Sequence, residues 1–342
     1  MNLEVIAERA GVSRMTVSRV LRNQRHVSEQ TRKRVLQVVE EMGYRPNPMV
    51  SVLMSQVAQS RKADFQPTLA YAWEHKRILT PRELVEGRGG YFRDVKVRAN
   101  ELGFNVEPML INNQGMSQKR FSDILKARNT PGIFLAPAEE TQASYDFDWK
   151  AFAAVSFGYS IRKPALNRVC LNYHVGIFNA MQKLWDRGYR RFGLVLKKHT
   201  DERILHLWTS GFLTFHWERG LPLDGQNMLV QDEVDRQEYC EWFQACEPEL
   251  IFSYDDWAYV PWCRELESRK RGRKKRPCAF IHLDKDFVQL RDELLGGLES
   301  CRPQMAAAAV DLLVSQIKQN QHGLPERQKT ILMEPELVWF NE

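Results

Sequence analysis

Residues 5–47 read VIAERAGVSRMTVSRVLRNQRHVSEQTRKRVLQVVEEMGYRPN, and the spacing of their apolar side chains decides the architecture of the first part of the chain. Leu3, Val5, Ile6, Ala7 and Ala10 form one face of a short helix over 3–10. Gly11 then permits a tight turn, and Ser13 is a good N-cap for a second helix running to about Leu21. Val12, Val17, Val20 and Leu21 are expected to face inward. A third helix begins near Ser28, with Glu29 in its first turn and Val35, Leu36, Val38, Val39 and Met42 as its apolar face; Gly43 ends it. Three short helices with a glycine turn between the first two describe a helix-turn-helix, whose second helix enters the major groove of DNA.

Charge supports the same reading. The chain has 342 residues and a formal net charge of +6. Residues 1–62 hold 11 Lys and Arg against 5 Asp and Glu, so the whole excess lies there and the remaining residues balance to zero. A basic module joined to a neutral body suits a nucleic-acid partner. On the second helix, Arg14, Met15, Arg19 and Arg22 are placed to read base edges, arginine by paired hydrogen bonds to guanine and methionine by contact with a thymine methyl. Ser13, Thr16, Ser18, Arg25, His26, Ser28 and Thr31 are placed for phosphates, which position the domain without reading sequence.

Beyond the linker VAQSRKADFQP (57–67), strand and helix patterns alternate. TLAYAW (68–73), NVEPMLI (105–111), GIFLAPA (132–138) and FAAVSFG (152–158) read as strands, with helices over 93–103 and 117–128. After RKPALN (162–167) the alternation restarts with helix IFNAMQKLWDRG, strand FGLVLK, a helix over 207–219 and strands LIFSYD and CAFIHLD. Strands separated by helices of ten or more residues imply parallel sheets covered on both faces, here in two similar halves. Ligands of such sheets bind outside the carboxyl ends of the strands, in the cleft between halves.

The N-terminal stretch resembles the DNA-binding headpiece of the lactose/galactose repressor (LacI/GalR) family in its AGVS–TVSRVL core, its VS–TR third-helix start and its GYRPN exit. More loosely, NYHVGIFNAMQKLWDRGYRRFGLVL, ELIFSYDDWA, AFIHLD and ILMEPELVWF resemble the rest of the family's chain. The resemblance implies an all-α helix-turn-helix headpiece over 1–47, a hinge helix and linker over 48–66, and an α/β two-lobed core over 67–342 like that of periplasmic binding proteins. The lobes are expected at about 67–164 with 287–322, and 165–286 with 323–342. It also implies that Arg14 and Met15 choose operator bases, that Arg19 is the shared base-contacting arginine, and that Leu53 wedges into a minor-groove step. Val50 and Ser51 replace the usual hinge Ala and Arg, and Trp208 stands where an effector-clamping arginine is usual.

Asp255 and Asp284 map by that similarity to strand ends that bind the effector. Trp73, His75, Tyr91, Phe92, Tyr159, Trp208, Tyr254 and Trp257 also fall at strand ends and their loops. Aromatic faces beside carboxylates suit a sugar, although aromatics in such places also pack hinges and dimer interfaces. The basic run RKRGRKKR (269–276) reads as a solvated loop and EGRGG (86–90) as a loop lip.

No HExxH, GxSxG, phosphate-loop or dinucleotide fingerprint occurs, so catalytic residues, a metal and a cofactor are not expected. The six scattered cysteines and an N-terminus without an apolar signal segment point to a reducing cytoplasm, with the nucleoid as the place of work. Function is therefore read as a homodimeric transcriptional regulator, a repressor by family habit. It would bind a pseudo-palindromic site in double-stranded DNA under control of a small carbohydrate effector, with no membrane partner. An activator of the same fold and a DNA-free solute-binding protein are the alternatives.

Overall fold

The computed structural model describes residues 3–21, 27–42, 66–74, 90–112, 115–223, 225–269 and 277–340. In the headpiece, α1 (Leu3–Arg9), α2 (Arg14–Leu21) and α3 (Glu29–Glu41) close around Ile6, Ala7, Ala10, Val17, Val20 and Val35. Val12, Leu21, Val27, Val38, Val39 and Met42 pack against that centre. Gly11 takes φ +60°, the left-handed conformation the turn between α1 and α2 requires. Two expected core members are instead exposed, Val5 at 43% and Leu36 at 45%. Each sits about 100° around its helix from an inward neighbour, Ile6 and Val35, and so misses the buried stripe.

The body is built on two six-stranded sheets. The first has the order β13-β7-β5-β3-β1-β2 and is parallel throughout. Its strands are β1 (Thr68–Trp73), β2 (Asn105–Leu110), β3 (Gly132–Leu135), β5 (Ala153–Phe157), β7 (Asn167–Leu171) and β13 (Thr330–Met333). The second has the order β14-β12-β11-β10-β8-β9. It contains β8 (Phe192–Lys197), β9 (Met228–Gln231), β10 (Leu250–Ser253), β11 (Ala279–His282), β12 (Gly296–Leu298) and β14 (Leu337–Trp339). Only β14 runs antiparallel there, against β12. The short pair β4 (Ala143–Ser144) and β6 (Ile161–Lys163) stands apart. Central strands such as AAVSF and LIFS are buried at every residue, as strands covered on both faces must be.

In the first lobe, α4 (Phe92–Glu101) and α5 (Gln118–Ala127) follow β1 and β2. The second lobe carries α6 (Tyr173–Asp186), α7 (Lys198–Arg203), α8 (Leu207–Glu218), α9 (Arg236–Cys246) and α10 (Asp256–Arg269). Helix α11 (Arg302–Lys318) leaves the second sheet and buries Met305, Ala306, Ala309, Val310 and Leu313 in the first lobe's core. The chain thus passes between sheets after Leu171, between Leu298 and Arg302, and between Met333 and Leu337. These crossings replace the lobe limits read from sequence: β7 and β13 belong with the first lobe and β12 with the second. Strand β7 escaped notice because Asn167 and Arg168 break its apolar run, yet both are buried. Asn167 earns its place by accepting a hydrogen bond from the Lys329 amide at 2.9 Å beside β13. Among the described residues, no helix is long and apolar enough to cross a membrane.

Candidate functional site

Helix α2 owes its start to Ser13, whose hydroxyl accepts the Thr16 amide at 3.1 Å and lies 2.9 Å from the Thr16 hydroxyl. Ser28 caps α3 in the same way, accepting from the Thr31 amide at 3.3 Å. Four of the residues expected at phosphates therefore also set helix ends. With Val17 and Val20 turned inward, Met15 is left 63% exposed and Arg19 exposed four residues on, along one outer stripe. Arg14 and Ser18 lie on α2 with their side chains outside the described set, and Arg22, Arg25, His26 and Leu53 lie outside the described residues.

The strand ends between the sheets gather a second group of side chains. Tyr173, at the crossing into the second lobe, meets Trp208 edge-on at 5.1 Å and Tyr159 at 6.1 Å. Trp208 in turn lies 5.9 Å from Tyr254, which follows β10 and touches Phe287 at 5.5 Å. Tyr91, from the first lobe, stacks on Phe157 at 4.4 Å, and its hydroxyl faces Met305 Sδ at 3.7 Å. Asp284 closes the group beyond β11, its carboxylate accepting the Asp286 amide at 3.0 Å. Burial pushes the Asp284 carboxyl up to about 6, with the nearby Arg302 guanidinium opposing that rise. Asp255 is also raised by burial, against Lys197 and a side-chain hydrogen bond from Trp257. Burial likewise holds the Tyr91, Tyr173 and Tyr254 phenols neutral, so they donate hydrogen bonds at any physiological pH.

Several polar atoms in this region are buried without a partner: Trp208 Nε1, Trp73 Nε1, Asp255 Oδ2, Arg203 Nε and Arg302 Nη2. Such atoms cost free energy unless water, an ion or a ligand satisfies them. Beneath the carboxylates, His282 is fully buried. Its Nδ1 accepts the Asp284 amide at 2.9 Å, which leaves the proton of the neutral ring on Nε2, 3.8 Å from Asp256.

Of the residues expected in the cleft, Tyr91, Tyr159, Trp208, Tyr254 and Asp284 come together around Tyr173, with Tyr91 (8% exposed) and Trp208 (3%) built into the cores of the two lobes. Trp257 is 48% exposed beside Asp255 at the start of α10. Trp73 is 8% exposed and belongs to the first lobe's core, with only its indole nitrogen unspent. Phe92 is a correction: it is 2% exposed and packed edge-on against Tyr71 at 5.4 Å, because the α4 face it occupies lies on the sheet. His75 lies outside the described residues. Sequence reasoning missed Tyr173 and Arg302, which sit where the chain crosses between lobes, and Arg203 at the end of α7. A separate surface hollow, lined by Thr68, Leu69, Met109 and the Arg128–Glu107 ion pair, lies at the amino end of β1, away from these strand ends.

Residues 2–47 match the family model described as "Bacterial regulatory proteins, lacI family". Over 355 residues the chain is 24% identical to the HTH-type transcriptional regulator DegA of Bacillus subtilis (strain 168), covering 97% of this chain and 95% of that protein. Among solved structures, the transcriptional regulator CelR–cellobiose complex shares 19% identity at a TM-score of 0.56, covering 100% of both chains. The lac repressor dimer bound to operator and the anti-inducer ONPF shares 17% at 0.52, covering 99% of this chain and 97% of that one. At these identities the two structures speak for the fold.

Proposed function

The chain belongs to the lacI family of bacterial regulatory proteins, and on that premise we propose that it is a sequence-specific DNA-binding repressor of transcription, relieved or engaged by a sugar in the interlobe cleft. The observation that carries the reading is α2, capped by Ser13, anchored through Val17 and Val20, and presenting Met15 and Arg19 outward. Nothing in that stripe serves the headpiece's own core, and its chemistry fits base edges. Arg14 and Arg22 are assigned to base edges with Met15 and Arg19. Arg25 and His26, with the capping residues and Ser18, are assigned to phosphates.

A single headpiece makes too few contacts to define a genomic site, so the working form is a homodimer on a pseudo-palindromic operator. The cleft unites Tyr91 from the first lobe with Trp208, Tyr254 and Asp284 from the second, so a ligand that touches both sets favours one lobe spacing over another. That spacing sets the distance between the two hinge segments at 48–66, and hence whether both Leu53 side chains enter the minor groove. The coupling is reciprocal: a ligand that weakens DNA binding is itself weakened by DNA to the same factor. The protein works in the cytoplasm, on the nucleoid, and is not an enzyme; the cleft carboxylates serve as acceptors for hydroxyls, and no cofactor or metal enters the reading.

A thermal-shift screen of the full chain against mono- and oligosaccharides, followed by titration of DNA with and without any hit, tests this. A ligand at one hundred times its Kd stabilises the folded chain by about 2.7 kcal/mol. The reading requires that the hit also alter DNA affinity. A sugar that stabilises the chain and leaves DNA affinity untouched contradicts regulation.

A further inference from the structure

Two guanidinium groups approach the aromatic cluster from different elements, and neither is fully used. Arg203 ends α7 and donates through Nη2 to the Ala138 carbonyl at 2.7 Å, across to the first lobe. Its Nε is buried without a partner, and it pairs with no carboxylate among the described residues. Arg302 opens α11 at a crossing between lobes, with its side chain 15% exposed. Its Nη2 lies 3.4 Å from Asp286 Oδ2, an oxygen that also takes the Ser300 hydroxyl, and makes no hydrogen bond. The same guanidinium lies 5.3 Å from the Phe287 ring. Both positive charges act on Tyr254, the ring that stands beside Trp208.

Buried guanidinium donors are costly to leave unmatched, more so than neutral ones. The unpartnered atoms here include the donors Arg203 Nε, Arg302 Nη2 and Trp208 Nε1, beside the acceptors Asp255 Oδ2, Asp256 Oδ1 and Asp201 Oδ1. A group that suits those donors brings acceptor oxygens and negative charge. A carboxylate has two such oxygens and no donor, and it matches guanidinium in geometry as well as charge. We propose that the cleft takes an acidic sugar, a uronate or aldonate, whose carboxylate sits between Arg203 and Arg302 while its carbon skeleton lies against Tyr254. Its hydroxyls then meet Asp255 and Asp284. This inference rests on the sugar-binding reading of the cleft and narrows it.

Thermal denaturation of the full chain with D-galacturonate, D-glucuronate and D-gluconate, set beside D-galactose and D-glucose, tests it. An acid is expected to bind at least about tenfold more tightly than its neutral parent, and added salt should shrink that advantage. Arg302→Gln and Arg203→Gln should each erase the preference for the acid while leaving neutral-sugar affinity in place; Arg302→Lys should keep part of it. The wild-type comparison stands even if a variant fails to fold. Neutral sugars binding as tightly as the acids would overturn the carboxylate pairing and leave the sugar cleft intact. No stabilisation by any of the five would overturn the acidic-sugar assignment, and the wider screen of oligosaccharides decides the sugar reading.

Discussion

Replacing Asp284 with Asn should change how the stability of this protein depends on pH. The carboxyl sits beyond β11 in the closed-in cluster, and burial lifts it from its ordinary 3.8 to about 6. The folded chain therefore holds that proton more tightly than the unfolded chain does. Between about pH 4 and 6, unfolding releases a proton, so stability falls as pH rises through that window. Above about 6 the cost of burying the charge is fully present. At 1.36 kcal/mol per pH unit, the displacement from 3.8 to about 6 amounts to at most about 3 kcal/mol. Asn keeps the oxygen that accepts the Asp286 amide and carries no charge to bury. Urea unfolding of both proteins from pH 4 to 8 gives the difference directly. The variant should gain on the wild type as pH rises, by up to about 3 kcal/mol, and the gain should level off above about pH 7. Parallel stability curves would refute the account of a carboxylate whose burial outweighs its partners. The same ionisation governs the cleft: a ligand hydroxyl donating to Asp284 exchanges a charged acceptor for a weaker neutral one as pH falls through about 6.

Ser13→Ala removes the acceptor for the Thr16 amide and should destabilise α2 by about 0.5–2 kcal/mol, seen as faster hydrogen exchange of its amides in the full chain. Unchanged exchange would show that the cap is idle. Gly211→Ala would set a Cβ 2.4 Å from the His174 carbonyl oxygen and 2.6 Å from Ile177, where α8 crosses α6. The expected loss is about 1–3 kcal/mol in urea unfolding, and an unaltered midpoint would contradict so close an approach of the two helices. Arg14→Ala should relax operator choice by about 1–3 kcal/mol, read as lost discrimination among operator variants; retained selectivity would remove Arg14 from the base-reading set.

The headpiece was legible because its helices are short, local and punctuated. Ser13, Gly11 and Ser28 mark the turns, and the inward stripe follows helical spacing closely enough that only Val5 and Leu36 were misplaced. Strands β1 and β8 matched their limits for a similar reason, since TLAYAW and FGLVLK are continuous runs with polar ends. The lobe boundaries were harder. A strand such as NRVCL carries no periodic signal, and its place in the first sheet comes from pairing with β5 and β13 far along the chain. Half of the candidate cleft suffered the same difficulty. Tyr254 and Asp284 follow recognisable strands, whereas Arg302 reaches the site only because α11 begins at a crossing between sheets. Phe92 illustrates the opposite error, an aromatic near a strand end that its helix turns into the core.

The claim at the centre of this account is that α2 reads DNA sequence. Selection of binding sites by the full chain from randomised duplex DNA, repeated with Met15→Ala and Arg19→Ala, addresses it directly. The expected product is an inverted repeat with half-site centres about 10–10.5 base pairs apart, and base preferences within each half-site that weaken in both variants. Recovery of unenriched DNA, or of a motif that both variants select unchanged, would contradict it.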